Sequence, residues 1–247
     1  METLKPTPIR IPERGWVGEI DRYLRRPDTA LATLSNSVFP YKGEDYLNSK
    51  CKRLLDLSVA VPAAVVSTPV VTFLGVAKKL EDGGSAFFIQ ERLDHNPGKT
   101  INLVKIRCMK PDSDMGLGNF QIARGLRPSE DPRNTRLGAF MRRWQLEELP
   151  QLFQVLQGKL SIMGIRPVTQ SGSENLRGIW SGERFNKWVN AYQKGILGTS
   201  GLCQTLGSYL KEDEKRFHLD VFYTRHANLG LDLYLLWRTA VKLIRVS

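Results

Sequence analysis

Cysteine and histidine are scarce in this 247-residue chain, at three of each, and neither type is grouped. Cys51, Cys108 and Cys203 are far apart, odd in number and outside any C-x-x-C pair, which argues against a disulfide framework and a thiolate zinc site. His95, His218 and His226 lack the spacing of a metal-ligand set and read as ordinary surface or core residues. Gly116-Leu117-Gly118-Asn119-Phe120-Gln121 lacks the third glycine of a dinucleotide fingerprint, and Gly198-Thr199-Ser200-Gly201 is not a G-x-S-x-G elbow. No strand-like stretch interleaves aromatic with basic residues, which weighs against nucleic acid as a partner. Acidic residues are in deficit too. The 25 Asp and Glu face 36 Lys and Arg, a formal charge of +11 that predicts an anionic partner such as a membrane surface or a nucleotide.

The 41% of hydrophobic residues suffices for one core, and one stretch of them is unusual. Residues 1–49 carry Pro6, Pro8, Pro12, Pro27 and Pro40 without an apolar core segment or a small-residue cleavage site. They read as an irregular arm with one or two short helices, one near Gly18 to Arg25. Beyond Lys52-Arg53 and Asp56, no charge occurs from Leu57 to Ala77, and Lys78-Lys79 follows. A straight helix over the uncharged part would be about 30 Å long, the thickness of a bilayer core. Pro62 and Pro69 interrupt it, and basic pairs flank both ends, whereas a spanning helix concentrates its positive charge on the cytoplasmic side. A bent helix that enters and leaves by one face satisfies both facts. The break would fall at Thr68-Pro69, with the hydroxyls of Ser67 and Thr68 meeting the backbone groups that Pro69 frees. A buried core helix of a soluble domain is the alternative at this point.

Further on, residues 86–92 and 101–109 read as two strands of a hairpin that turns through Asn96-Pro97-Gly98. Alternation puts Lys105 and Arg107 on one face, where two cations can meet a diphosphate or simply face solvent. Asp112 to Asn134 is polar, rich in Gly and Pro, and reads as a loop. Glu174 to Tyr192 is expected to be one helix, Gly195 to Gly207 a glycine-rich loop, and residues 211–226 and 229–246 two amphipathic helices suited to a membrane interface or to a core.

Between these lies Arg142-Arg143-Trp144-Gln145-Leu146-Glu147-Glu148-Leu149-Pro150, with Arg166-Pro167 downstream. Pro150 suits the first turn of a helix, so Glu147 and Glu148 are expected near a helix start, where the macrodipole favours an ionised carboxylate. Such a group can attack phosphorus or hold a hard cation, and arginine forks suit phosphate oxygens. A surface pair between Glu147 and Arg143 is the plainer alternative.

Together, Arg136-Leu137-Gly138, Phe140 to Arg143, Leu146 to Leu152, Gly158 and Gly164-Ile165-Arg166-Pro167 resemble the core of the bacterial sugar transferases, the monotopic polyprenyl-phosphate phosphoglycosyl transferases. Gln90, Arg92, Lys105, Arg107, Met109, residues 198–207, Asp220, Tyr223 and Leu231-Asp232-Leu233 extend the resemblance. It implies an α+β, mainly helical fold: an arm (1–49), a re-entrant, non-spanning membrane helix (50–79) broken at Thr68-Pro69, and a small cytosolic domain (80–247) with a β-hairpin and amphipathic interfacial helices. It implies transfer of a sugar 1-phosphate from a UDP-sugar to polyprenyl (undecaprenyl) phosphate with release of UMP, at the cytosolic face of a bacterial inner membrane. Carried over by position, Glu147 is the nucleophile and Glu148 the acid associated with Mg²⁺. Lys105, Arg107, Arg142, Arg166, Pro167 and Gln204 are the substrate-binding candidates. The chain departs from the family pattern in reading Glu147-Glu148 for Asp-Glu, and at Lys159, Ile165, Leu197 and Ser208. A catalytically impaired relative serving as a membrane-bound binding or scaffold subunit therefore stays open as a second reading. Homodimer formation is left open as well.

Overall fold

The structure is a computed structural model and describes residues 43–111, 113, 131–206 and 212–245. The expected arm up to residue 42, and the loop reading for residue 112 and residues 114–130, lie outside these. Helix α1 (Gly43–Leu47) leads into α2 (Lys50–Asp82), a 33-residue helix that Ser49 caps by accepting a hydrogen bond from the Lys52 N–H. It ends at Gly83, whose φ of 70° is the left-handed conformation that closes helices.

Helix α2 continues through both prolines. Its buried residues Lys52, Asp56, Ala60, Ala64, Ser67, Val71, Leu74 and Lys78 recur at three- and four-residue spacing, so they form one stripe, polar at its ends and small in its middle. The opposite face is bare: Val61, Val65, Val66, Phe73, Val76 and Leu80 are all exposed. Thr68 and Ser67 both donate to the carbonyl of Ala64, at 2.7 and 3.2 Å. That is one residue short of Val65, the carbonyl that Pro69 leaves without its i+4 amide, so the expected compensation is displaced by one position.

Both ends of α2 are fastened to the rest of the fold. At the start, Lys52 Nζ contacts Asp56 at 3.1 Å and Asp232 at 2.7 Å, and Asp56 Oδ1 accepts from Ser161 Oγ and the Ile162 N–H. Tyr46 and Tyr223 donate to Asp232. At the finish, Lys78 Nζ holds Glu81, Asp82 and the Thr135 hydroxyl at 2.8–2.9 Å. Of the flanking cations, Lys52, Arg53 and Lys78 therefore face the protein itself. Lys52 and Lys78 are buried in ion pairs, and Arg53 forks onto the Val155 and Leu156 carbonyls, where a helix end welcomes a cation.

Strands β1 (Phe87–Leu93) and β2 (Thr100–Ile106) form the expected antiparallel hairpin, with Phe88 opposite Lys105 and Gly98 in the turn at φ 73°. Then come α3 (Arg136–Trp144), a single 3₁₀ turn (Leu146–Glu148) and α4 (Gln151–Leu156). The expected helix from Glu174 to Tyr192 is two, α5 (Gln170–Ile179) and α6 (Gly182–Lys194), because Ser181 turns extended and caps α6 through the Arg184 N–H. Strand β3 (Ser161–Met163) pairs in parallel with β4 (Gly198–Ser200), so part of the expected glycine-rich loop is a strand, followed by α7 (Leu202–Leu206). Helices α8 (Glu212–His226) and α9 (Leu229–Arg245) complete a mainly helical α+β fold with two small sheets.

Gly164 and Gly198 explain why β3 and β4 meet there. A Cβ on Gly198 would lie 2.3 Å from the Gly164 nitrogen, so only hydrogen lets the two backbones approach. Around this sheet sits the main core, with Trp188, Tyr223, Leu235, Met163, Leu197, Val155 and Ala60. A smaller cluster of Val71, Leu74, Ile106, Cys108 and Met141 joins the second half of α2 to β2 and α3.

Candidate active site

The acidic pair is aimed by a backbone reversal. Thr135 caps α3 at its start, and Gln145 ends it with φ 57° and ψ 26°, the one non-glycine residue among those described with positive φ. This left-handed residue turns the chain at once into the 3₁₀ turn that carries Glu147 and Glu148. Pro150 then leads into α4, as the sequence suggested. Gln154 of α4 fixes the turn against the hairpin, since its side chain accepts from the Val104 N–H at 3.0 Å and donates to the Asn102 carbonyl at 2.6 Å. One short helix thereby completes part of the edge of β2.

A cleft of about 450 Å³ opens beside this turn. Glu147 lines it, with Lys105 and Arg107 at the end of the hairpin, Arg142 from α3, Arg133 and Lys110 from the flanking loop, and Phe88 and Gln90 from β1. Cations outnumber the single carboxylate in this lining, as an anionic ligand requires.

The two glutamates occupy opposite environments. Glu147 Oε2 is buried and accepts no hydrogen bond among the described residues. Burial, helped by the neighbouring Glu148 charge, raises its carboxyl above the ordinary range, against the expectation that the helix start would favour ionisation. The expected plain pair with Arg143 is not among the ion pairs of the described residues. Glu148 instead sits 2.8 Å from Lys105 Nζ and 3.7 Å from Arg166. Burial works against its ionisation too, but Lys105 and Arg166 override it and hold its carboxyl below the ordinary range.

The remaining candidates separate into those at the cleft and those beside it. Arg107 lines the cleft, yet its fork is closed on Asp82 at 2.5 and 2.9 Å and on two carbonyls, so it ties the end of α2 to the hairpin. Arg142 contacts Asn134 at 3.2 Å and Asp131 at 3.5 Å and stays in the lining. Arg166 and Pro167 stand behind Glu148, outside that lining; the Pro167 carbonyl accepts from Arg92 and the Arg166 carbonyl from Arg216. Burial, with Arg166 and Arg216 nearby, pulls the Arg92 guanidinium down to about 10, the mark of crowded cations. Gln204 lies on α7, which packs on α8, α9 and β4, and is not part of the cleft lining. Thr68 and Pro69 sit inside α2.

Sequence reasoning did not assign Arg133 and Lys110 to the site, since both belong to polar loop segments without periodicity. Arg92 was marked by the resemblance but given no role, and Arg216 was missed; three-dimensional crowding around Arg166 brings both forward. Cys108 also lines the cleft, but burial and the nearby Glu147 push its thiol up to about 12, so it does not compete as a nucleophile.

No group of three or more His, Cys, Asp or Glu suited to a metal cage occurs among the described residues. Mg²⁺ does not need one, because it keeps waters and binds through one or two carboxylates together with substrate phosphates. The orphaned Glu147 oxygen and the adjacent Glu148 fit that description.

A cationic cleft lined by Glu147, with Glu148 next to it in the same turn, thus lies in a mainly helical α+β fold that also holds a helix long and apolar enough to cross a bilayer. The model of the family described as "Bacterial sugar transferase" matches residues 47–246. The chain belongs to this bacterial sugar transferase family.

Among its relatives, undecaprenyl-phosphate glucose phosphotransferase of Komagataeibacter xylinus is 32% identical over 195 residues, covering 76% of this chain and 35% of that protein. UDP-glucose:undecaprenyl-phosphate glucose-1-phosphate transferase of Xanthomonas campestris pv. campestris is 31% identical over 78% of this chain and 38% of its own length. The exopolysaccharide production protein ExoY of Sinorhizobium fredii is 29% identical over 76% of this chain and 83% of its own length. The chain thus spans well under half of the first two relatives and most of the third.

Proposed function

We propose that this chain transfers a sugar 1-phosphate from a UDP-sugar to undecaprenyl phosphate and releases UMP, the opening step of a polysaccharide pathway. The observation that carries the reading is Glu147: a buried carboxylate oxygen without a hydrogen-bond partner among the described residues, on a cleft lined by Lys105, Arg142, Arg133 and Lys110. The names of the relatives supply the donor and acceptor classes.

In the first step, a Glu147 oxygen attacks the sugar-bound phosphorus. The P–O bond to UMP breaks, and UMP leaves with the bonding electrons while the phosphosugar stays on the carboxylate. Lys105 and Arg142 hold phosphate oxygens and spread the developing charge. In the second step, an oxygen of undecaprenyl phosphate attacks the same phosphorus, the acyl phosphate bond breaks, and free Glu147 returns. Glu148, kept ionised by Lys105 and Arg166, is the residue that would hold Mg²⁺ with Glu147 and the phosphates. When bound, that ion offsets phosphate charge.

The membrane helix is re-entrant in this reading. A helix that crosses a bilayer carries its ends to opposite sides, but here both ends of α2 pair with one and the same domain, Lys52 with Asp232 and Asp82 with Arg107. The exposed face between them is apolar, which supports a domain seated on a membrane surface; in this reading that surface is the cytosolic face of the inner membrane, with the cleft near lipid phosphates. Mass spectrometry after incubation with Mg²⁺ and UDP-sugars tests the chemistry. A phosphosugar adduct on Glu147, with UMP in solution and neither product from Glu147→Gln, is the expected result; release of UMP by the Gln variant at the wild-type rate would remove Glu147 from the mechanism.

A further inference from the structure

The first strand of the hairpin starts with Phe87-Phe88-Ile89, and all three are exposed, at 42, 40 and 62%. Three adjacent bare apolar residues on a two-stranded ribbon call for a partner. Alternation sends Phe88 to the same face as Lys105, its cross-strand neighbour, and into the lining of the cleft that holds Glu147. Phe87 points to the other face, toward α2. A Cβ built on Gly75 would lie 3.8 Å from the tip of the Phe87 ring and 3.8 Å from the Ala86 Cβ, so the strand rests on α2 at that glycine.

Gly75 marks a border. On its one side runs the buried stripe of Val71, Leu74 and Lys78; on the other, Phe73 and Val76 are 70 and 55% exposed on the bare apolar face. The apolar surface of the helix is thus continued by Phe87, and Phe88, one residue on and across the edge of the ribbon, brings apolar surface to the rim of a cationic cleft. The same cleft is also lined by polar residues from the segments after β2 and before α3, Lys110, Ser113 and Arg133.

We infer that Phe87, Phe88 and Ile89 form a track for the first isoprene units of the acceptor lipid, leading its phosphate from the bilayer to Lys105 and Glu147 while the nucleotide occupies the polar side. This rests on the proposed transferase reading and adds to it a division of the cleft. The polyprenyl chain is the occupant the surface fits, because one end of the track opens on the membrane-facing helix and the other on phosphate-binding cations. Bulk bilayer would account for the first end and not the second.

The test is steady-state kinetics of the full chain in detergent and in anionic phospholipid vesicles, comparing wild type, Phe87→Ser/Phe88→Ser and Phe87→Leu/Phe88→Leu. The Ser pair is expected to raise KM for undecaprenyl phosphate about tenfold, the loss expected for partly buried aromatic surface. KM for the UDP-sugar shifts by much less than KM for the acceptor, so the ratio of the two carries the readout, since Phe88 also lines the cleft. The Leu pair restores most of the acceptor KM, which shows that the Ser pair folds. With geranyl phosphate, whose chain is too short to cover the track, the Ser effect shrinks below about twofold. An unchanged acceptor KM in the Ser pair overturns the track, as does an equal loss for donor and acceptor together with weaker vesicle binding, the signature of mere bilayer contact. Absence of UMP release by the wild type with every UDP-sugar overturns the transferase reading itself, a result separate from either.

Discussion

Glu147 and Glu148 are the same residue type on consecutive positions of one turn, and the fold treats them oppositely. Glu148 faces Lys105 and Arg166, with Arg92 and Arg216 behind, and its charge is settled by cations before any ligand arrives. Glu147 faces the cleft with a buried oxygen that accepts nothing from the described residues. The difference teaches that charge on this pair is assigned by neighbours from β1, β2 and the segment after β3. In the proposed mechanism the carboxylate held by cations organises phosphates, and the one whose ionised form is poorly served is the nucleophile. A nucleophile with unspent hydrogen-bonding capacity gains more on meeting an electrophile than one already held by arginines.

The comparison breaks most sharply on Glu147→Asp. Shortening the side chain by one methylene draws the oxygen back by about 1 Å, which costs a factor near 100 in turnover. Donor binding holds, since the cations of the cleft are untouched. Single-turnover UMP release measures the first quantity and nucleotide titration the second. An Asp variant as fast as wild type would show that the reach of Glu147 is not built into this cleft.

A smaller effect separates two cations that the sequence made equivalent. Lys105→Met removes the partner of Glu148 and a phosphate contact, and is expected to raise donor KM about tenfold with little change in melting temperature. Arg107→Met opens the clamp on Asp82, so it should lower stability by about 2 kcal/mol, the usual scale for hydrogen bonds to charged groups, with donor KM within about twofold of wild type. Kinetics and thermal melts on the two variants reverse roles if Arg107 is instead the phosphate ligand.

The smallest expected effect is a displacement along the pH axis. Glu147 must be ionised to attack, and burial raises its carboxyl, so the ionised fraction is lost at a higher pH than for an ordinary glutamate as the solution is acidified. The acid limb of kcat/KM for the donor should therefore lie above about 4.3, the usual glutamate value. Lys105→Met moves that limb further up, because Lys105 also favours the charged form of Glu147. A limb at or below the ordinary value would assign it to Glu148 instead.

Much of this arrangement was legible in local spacing. The uncharged run after Asp56, the hairpin around Asn96-Pro97-Gly98 and the acidic pair before Pro150 all emerged where the sequence placed them, because each depends on neighbours within a few positions. The division of the expected Glu174 to Tyr192 helix had a local signal in Ser181-Gly182, a turn dipeptide, but the helical spacing of Trp180, Phe185 and Trp188 ran across it and hid it. The parallel pairing of β3 with β4 was hidden too; three residues each are too short for periodicity, and their glycines read as loop.

What the amino-acid order determined by itself is the set of elements and their chemical kinds: an apolar helix, a hairpin ending in cations, two carboxylates in a turn, and a family. Hydrophobic period, turn residues and charge are properties of short segments, and they survive without knowing what lies opposite. Only the tertiary structure decided which charges are spent and which are left over. Lys52 and Arg107 went into ion pairs with partners as far as 180 and 25 positions away, and Lys78 into pairs with Glu81 and Asp82 and a hydrogen bond to the Thr135 hydroxyl 57 positions away, while Glu147 was left with an oxygen that has no partner among the described residues. The reason is that ionisation and reactivity follow from desolvation and from the nearest opposite charge, and both are set by packing between segments far apart in the chain.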